Sequence, residues 1–536
     1  MSVKHTPALR QRMAWFHTWF GLVLGFLLFV VFWMGTLTVY DKEFDRWMHP
    51  DTRRSTTVCC TLTLEELATV LTAAHSIAPK STNIRLRLPT ARQPLTQIRI
   101  VEPGQPMQVH WADHRTGLLI SNTHTLGGTG FFFPFHYKFN LGWKNVGHFL
   151  LGIAGVAMLA LLISGVVLHR KLLAEFFLLR TNKHSVRKLL DLHNLSSVVA
   201  LPFHLLITFT GLLIFFSIYF PWATSAVFAG DQTASQKAMS GFVNLPPSGL
   251  DVNMEQQRAA LEQVPAMIAA RETAWSLALG HSVKADSINL RNLGDENATL
   301  EVRRVFPKYS VGMNTHADTL MLYSGEVLHA HEVKPIKGFT HWINGLHFIQ
   351  FDHAMLRALF FVGGLLGCVM IHTGFLFWLE SRRQQHSAKK NPGFVLVQGL
   401  AVGGTVGIMI ASMAFLLVNQ MLPAWVAQRA NIETWIFYGV WLVCIAWSMS
   451  QAHLQKHLQS QAKLHRKRLW HPPVLAFGWL ALLAMLFNQI NTGGLWAAWH
   501  LQDSNTMTID VLLLAFAALG FWSAHQLKKA AQHTAT

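Results

Sequence analysis

The chain carries 29 histidines against 27 acidic residues, and several of those histidines lie within or beside long apolar runs. A charged imidazole is expensive inside a bilayer, whereas a neutral one offers a nitrogen lone pair to a metal. Two neutral imidazoles from facing helices, at one depth and in apolar surroundings, are what a bis-histidine heme requires. No Cys-x-x-Cys-His segment occurs, so the heme expected is b-type rather than covalently attached. His193 and His204 are eleven residues apart, close to three helical turns, which predicts that both project from nearly one face of a helix about 16 Å apart. His17 and His169 fall near the level of His193, and the three admit more than one pairing. Depth alone pairs His204 with His372. His136 and His347 stand about 33 residues before the ends of their following helices, so both are expected above the membrane core. His148 is a further competitor.

Weaker chemistry is scattered elsewhere. His281, His316, His329 and His331, with Asp318 and Glu332, could form a metal site, but VLHAHE reads more simply as a strand with alternating faces. Cys59 and Cys60 are adjacent, as in a vicinal disulfide or a metal contact, whereas Cys368 and Cys444 read as small apolar residues. His453, His457 and His465 sit in a basic run suited to lipid headgroups. Trp15, Trp19, Phe203 and Phe209 could lie on a porphyrin, though lipid and helix packing explain most such rings. No P-loop, GxSxG, HExxH or dinucleotide fingerprint is found, which disfavours an ATP-driven pump, a serine hydrolase, a zincin and direct oxidation of a nicotinamide.

The elements that would position these residues follow from composition. The 536-residue chain is 51% hydrophobic and only 13% charged, the composition of a membrane protein. Its net charge of +17 sits in clusters flanking apolar runs, which argues for membrane topology and against nucleic acid. About eight transmembrane helices are expected: 12–40, 146–168, 195–220 and 354–379, then four more at 394–420, 431–451, 471–490 and 508–526. The first run is too long and aromatic for a cleaved signal peptide. The connections 169–192, 380–393 and 455–470 are rich in Lys and Arg, which predicts a multi-pass protein of the bacterial inner (cytoplasmic) membrane with both termini cytoplasmic. The segments 41–145 and 221–353 then lie in the periplasm. Each repeats the order amphipathic helix, alternating strand, strand with turn (TLEELATVLTAAH, NIRLRLP, VHWADHRTGLLIS; MEQQRAALEQVPAMIAA, ATLEVRRVF, TLMLYSGEVLHAHE). The fold expected is an α-helical integral membrane protein with two periplasmic α+β modules.

Several segments carry a family resemblance: FHTWFGLVLGF before YDKEFDRWMHP, then ISGVVLHRK, DLHNLSSVVALPFHLLITFTGL, and LHF before a helix ending TGFLFWLE. Over residues 12–385 the chain resembles the PepSY-associated transmembrane helix family, some members of which are heme-containing inner-membrane reductases that release iron from ferric siderophores. The resemblance makes both modules PepSY-like. It favours the repeated histidines His17, His136, His169, His193, His204 and His347 as heme ligands over His148 and His372.

The function expected is a heme-dependent oxidoreductase, with two hemes b, that carries electrons across the bilayer to a periplasmic ferric-siderophore or other iron complex. The donor, quinol or a cytoplasmic reductase, has no signature in the sequence. The competing expectation is a non-enzymatic protein whose PepSY modules bind or regulate a cell-envelope partner. A proton-driven permease ranks last, because no clear broken helix and no acidic membrane relay are evident.

Overall fold

Long apolar runs must satisfy their own backbone groups in a bilayer, and the helix is the local solution. The computed structural model describes residues 7–53, 62–77, 83–90, 92–102, 107–113, 115–120, 124–169, 180, 184–231, 234, 245–305, 316–330, 335–351, 353–388, 392–423, 425–455 and 462–532. Among these, seven helices are long and apolar enough to cross a membrane, or eight if a bent helix pair is counted as one span. Cys59, Cys60, His331, Glu332 and His457 lie outside the described residues. The chain divides into two compact units, one of Met1–Met48, His124–Phe215 and Met355–Thr536, the other of His49–Thr123 and Phe216–Ala354.

The first unit is the helical one. Its leading helix, α1 (Pro7–Thr38), is followed by the short α2 (Asp41–Met48). The first unit resumes after the other's first segment, with α4 (Gly127–Lys138) and the spanning α5 (Val146–Leu168). The third span is not the single helix expected over 195–220. It consists of α6 (Ser185–Val199) and α7 (Leu201–Ile214), bent by 63° at Ala200. Pro202 is the physical reason: it has no amide proton, and its ring excludes the carbonyl one turn back, so the ladder restarts at the first turn of α7. The next span, α12 (Ala354–Ala388), approaches α1 closely. A β-carbon at Gly364 would run into Thr36, and one at Gly367 into Phe32.

The last spans are α13 and α14 (Pro392–Leu400 and Gly407–Met421), α15 (Arg429–Gln455), α16 (Ala462–Thr492) and α18 (Ser504–Gln532), with the short α17 (Gly494–His500) before the last. Between α13 and α14 the backbone widens into a π-helical turn, Ala401–Val406, a feature that re-aims side chains within a helix.

The second unit holds one eight-stranded antiparallel sheet in the order β4-β3-β2-β1-β5-β6-β7-β8. The sequence shows one α+β module used twice, and β1 (Asn83–Arg87) pairs directly with β5 (Ala285–Arg291), Arg85 opposite Asn289 and Leu86 opposite Ile288, joining both copies in one sheet. The strands β2 (Thr96–Val101), β3 (Gln108–Ala112) and β4 (Leu119–Ile120) extend one wing. β6 (Thr299–Arg304), β7 (Ala317–Met321) and β8 (Val327–His329) extend the other. Alternation sends Ile84, Leu86, Ile98, Ile288, Leu290, Leu300 and Val302 to one face, where α3 (Leu64–Ile77) and α10 (Met254–Leu279) bring Leu67, Val70, Leu71, Val264, Ile268 and Trp275 into the same core. A reciprocal box starts α3: the Thr63 amide donates to Glu66 Oε2 at 2.9 Å and the Glu66 amide to Thr63 Oγ1 at 3.2 Å. Asn253 caps α10, accepting from the Gln256 amide at 2.8 Å.

Candidate functional site

Two of the six candidate histidines face each other. The rings of His17 on α1 and His193 on α6 have centroids 6.3 Å apart and planes at 83°. Each is held by Nδ1. Ser164 spends its hydroxyl proton on the Leu161 carbonyl at 3.0 Å, so the 2.9 Å contact between His17 and Ser164 Oγ has His17 Nδ1–H as donor. His193 Nδ1–H donates to the Met370 carbonyl at 2.8 Å. Both rings are therefore in the tautomer that leaves the Nε2 lone pair available, the arrangement in which an imidazole binds a metal. Glycines make the room. A β-carbon at Gly165 would lie 3.4 Å from His17 Cε1, and one at Gly374 would lie 3.3 Å from His193 Cε1.

His136 and His204 meet α1 at another level, within one turn of each other. His136 Nδ1–H donates to the Val31 carbonyl at 3.0 Å, and a β-carbon at Gly35 would lie 2.7 Å from its Cε1. The fully buried His204 ring stands edge-on to Phe32 at 5.4 Å. Its Nε2–H donates weakly to the Gly363 carbonyl at 3.3 Å, and its Nδ1 is buried with no hydrogen-bond partner. A buried imidazole nitrogen without a partner is costly unless something else occupies it.

The bend at Ala200 corrects the expectation that His193 and His204 share one face of one straight helix. The spacing is recovered on the partner instead. His193 packs at Gly374 and His204 at Gly363, both on α12. Eleven residues on an α-helix return to nearly the same face about 16 Å along the axis. The same geometry separates the depth-matched alternative. His372 lies nine residues from Gly363, about two and a half turns, and so projects from the opposite side of α12. There its Nδ1–H donates to Thr405 Oγ1 of the π turn at 3.0 Å, and its ring neighbours are Phe29 at 6.4 Å and Trp470 at 5.4 Å.

The remaining candidates are not drawn into these pairs. His169 caps α5. Its Nδ1 is buried without a hydrogen-bond partner, and among the described residues its ring contacts neither His17 nor His193. His148 lies against Tyr137 at 5.7 Å and Phe215 at 5.0 Å. His347 belongs to the sheet-bearing unit, on α11 (Pro335–Phe348). Trp15, Trp19 and Phe209 are exposed on the helix surface, as lipid-facing rings are, whereas Phe203 packs on Gly363 and edge-on to His204 at 5.6 Å. Among the described residues no three His, Cys, Asp or Glu side chains gather as a bare-ion site. In the sheet, Asp318 instead accepts from Arg271 Nη2 at 2.6 Å and Trp275 Nε1 at 2.8 Å.

The polar groups of the last four helices bind those helices to the first half. Buried Arg46 Nε donates to Asp503 at 2.7 Å, Trp47 Nε1 to Asp510 at 2.8 Å, and Asn488 Nδ2 to the same Asp510 carboxylate at 2.9 Å. Glu433 collects Thr125 Oγ1 at 2.5 Å, Asn419 Nδ2 at 2.9 Å and Arg429 Nε at 3.0 Å. Within the first half, Arg357 Nη1 on α12 donates to Glu43 of α2 at 2.5 Å. The available signal was an acid in an apolar run, which needs a partner.

Comparison with known proteins agrees with this architecture. An uncharacterized protein of Pseudomonas aeruginosa is 25% identical over 293 residues, covering 52% of this chain and 69% of that protein. The PepSY-associated TM region matches residues 14–381, a span containing both sheet segments and every candidate histidine named above. On that match, over more than half its length, the chain belongs to the PepSY-associated transmembrane region family.

Proposed function

We propose that this protein is a heme-dependent oxidoreductase of the bacterial inner membrane, carrying electrons outward to a periplasmic ferric complex such as a ferric siderophore. The observation that carries the reading is the His17 and His193 pair. The two rings stand with centroids 6.3 Å apart and each leaves its Nε2 unprotonated, so the pair would hold one heme iron between two helices. Ser164 and the Met370 carbonyl fix their tautomers and orientation, as second partners of ligating histidines do. His136 and His204 are proposed as the second ligand pair, with the buried Nδ1 of His204 as the nitrogen in want of a partner. His169 and His347 then have other roles.

Heme b, two per chain, would supply one-electron chemistry at each level. The chain's own residues hold the rings neutral, exclude water with apolar helix faces and set the two levels about 16 Å apart along α12. Lys- and Arg-rich connections favour cytoplasmic termini, with the sheet on the periplasmic side. The electron donor is proposed to be quinol or a cytoplasmic reductase.

A pyridine hemochrome assay with heme-to-protein stoichiometry tests the reading. Two hemes per chain are expected, and the sharp reduced α-band should weaken when His17 or His193 becomes Ala. Folded protein from heme-replete cells that is colourless sinks it. The second reading, a non-enzymatic protein that binds or regulates an envelope partner, is favoured by the separate core of the sheet-bearing unit. It predicts function that survives loss of His193 and His204 but not disruption of the sheet.

A further inference from the structure

The sheet has one apolar face, and the other is lined with guanidinium groups. Between the buried Ile84, Leu86, Ile98 and Ile288, strand alternation turns Arg85 and Arg87 of β1 and Arg99 of β2 to the opposite side, together with Arg291 of β5 and Arg303 of β6. The register places them side by side. Arg85 lies directly opposite Arg99, and Arg87 lies opposite Ser287, whose other neighbour is Arg303. Like charges across adjacent strands cost stability. Here they occupy the four central strands.

A carboxylate of β6 answers two of them. Glu301 accepts from Arg291 Nη2 at 3.1 Å, Arg303 Nη2 at 3.4 Å and Asn289 Nδ2 at 3.2 Å. Five arginines therefore lie on these four strands around that carboxylate, and Arg99 Nε also donates to Gln97 Oε1 at 2.9 Å. Arg85 and Arg87 are exposed, and Arg99, Arg291 and Arg303 are half-buried. All five cations are arginine. A planar fork binds carboxylates in pairs of parallel hydrogen bonds, which a lysine cannot do. With strands about 4.8 Å apart and same-face residues about 6.7 Å apart along a strand, three of these forks fall within the span of one small molecule. Glu301 already places a carboxylate between two of these arginines, with one hydrogen bond from each.

We propose that this arginine face binds a small, multiply charged polycarboxylate, and that in the working protein this is an anionic ferric chelate. The second clause rests on the electron-transfer reading above; the first rests on the sheet alone. The separation of forks suits several carboxylates on one compact anion. The inbuilt Glu301 keeps two arginines ordered while the face is empty.

The test uses the full chain in nanodiscs of zwitterionic lipid, titrated calorimetrically with gallium(III) citrate, a redox-inert stand-in that reads binding rather than turnover. Saturable binding is expected. Arg85→Gln should weaken it about tenfold, as loss of a charge-assisted hydrogen-bond pair does, and Arg87→Gln similarly. The neutral Ser287→Ala control should bind as wild type, and melting temperatures confirm that each variant is folded. Absence of binding to wild type overturns the proposal, as does equal binding by the folded Arg85→Gln and Arg87→Gln variants. So does a result in which the variants keep citrate affinity but lose attachment to phosphatidylglycerol vesicles, which would make this a lipid-facing surface. The absorption spectrum of the same samples separates the two readings. Red protein that binds no anion overturns only this inference, and colourless protein that binds it overturns the heme assignment and with it the ferric-chelate clause, leaving the polycarboxylate site.

Discussion

The Arg46 guanidinium and the Asp503 carboxylate, both buried, lie 2.7 Å apart and join the segment after α1 to the start of α18. Asp503 also starts that helix, accepting from the Thr506 amide at 3.2 Å and from Thr506 Oγ1 at 2.7 Å. Asp503→Ala removes both roles and takes the carboxylate away from a buried guanidinium. A loss of about 3–5 kcal/mol is expected, read as a lowered melting temperature by intrinsic tryptophan fluorescence in detergent. Asp503→Asn keeps an N-cap acceptor and should lose less. An unchanged melting temperature in Asp503→Ala would show that the last helices are not tied down by this pair.

Gly374 and Gly165 make room for the facing imidazoles. Gly374→Val is expected to push His193 off its line with His17 and to reduce the heme content from two per chain to one, by hemochrome stoichiometry. Gly439→Ala is the control, because a β-carbon there meets nothing within 4 Å. Full heme occupancy in Gly374→Val would remove His193 from the ligand set.

Asp45 of α2 introduces a pH dependence. Burial, reinforced by the neighbouring Asp41 carboxylate, pushes its pKa up to about 7 from an ordinary 3.8, although the Thr129 amide and others donate to it. The folded protein thus holds a proton that the unfolded chain releases. This group's contribution to stability is complete below about pH 4 and is lost as pH rises through 7. Melting temperature should fall between pH 5 and 8, and Asp45→Asn, which keeps an acceptor for the Thr129 amide, should flatten that part of the profile. A steeper fall in the variant would contradict the assignment.

In the sheet, Asp318 accepts from both Arg271 and Trp275. Asp318→Ala leaves an indole N–H and a guanidinium without their shared acceptor in a largely buried place. About 2–4 kcal/mol is expected to be lost, visible as faster proteolysis at the sheet-bearing unit. The hemochrome spectrum should be unaffected, which distinguishes this damage from loss of a ligand.

Much of this architecture was legible in the chain because its signals are local. An apolar run announces a span whatever it packs against, and the alternation in NIRLRLP already separates Ile84 and Leu86 from Arg85 and Arg87. The pairing of histidines was not legible. Helical spacing gives each side chain a face but not the rotation of one helix against another, so His17 against His193, and His372 turned away from Gly363, emerge only from packing. The break before Pro202 was signalled by that proline, while its 63° angle depends on the neighbouring helices. The β1 and β5 pairing joins segments separated by two spans, and nothing within either strand names its partner.

That pairing bears on how the molecule is made. β1 is the inner edge of its own half-sheet, and it stays open during synthesis until β5 emerges, after α5 and the α6–α7 span have been inserted. An uncovered hydrogen-bonding edge is a template for the wrong partner. The nascent chain must therefore be shielded through that interval, and the two halves expressed as separate polypeptides should aggregate alone yet reassemble when produced together.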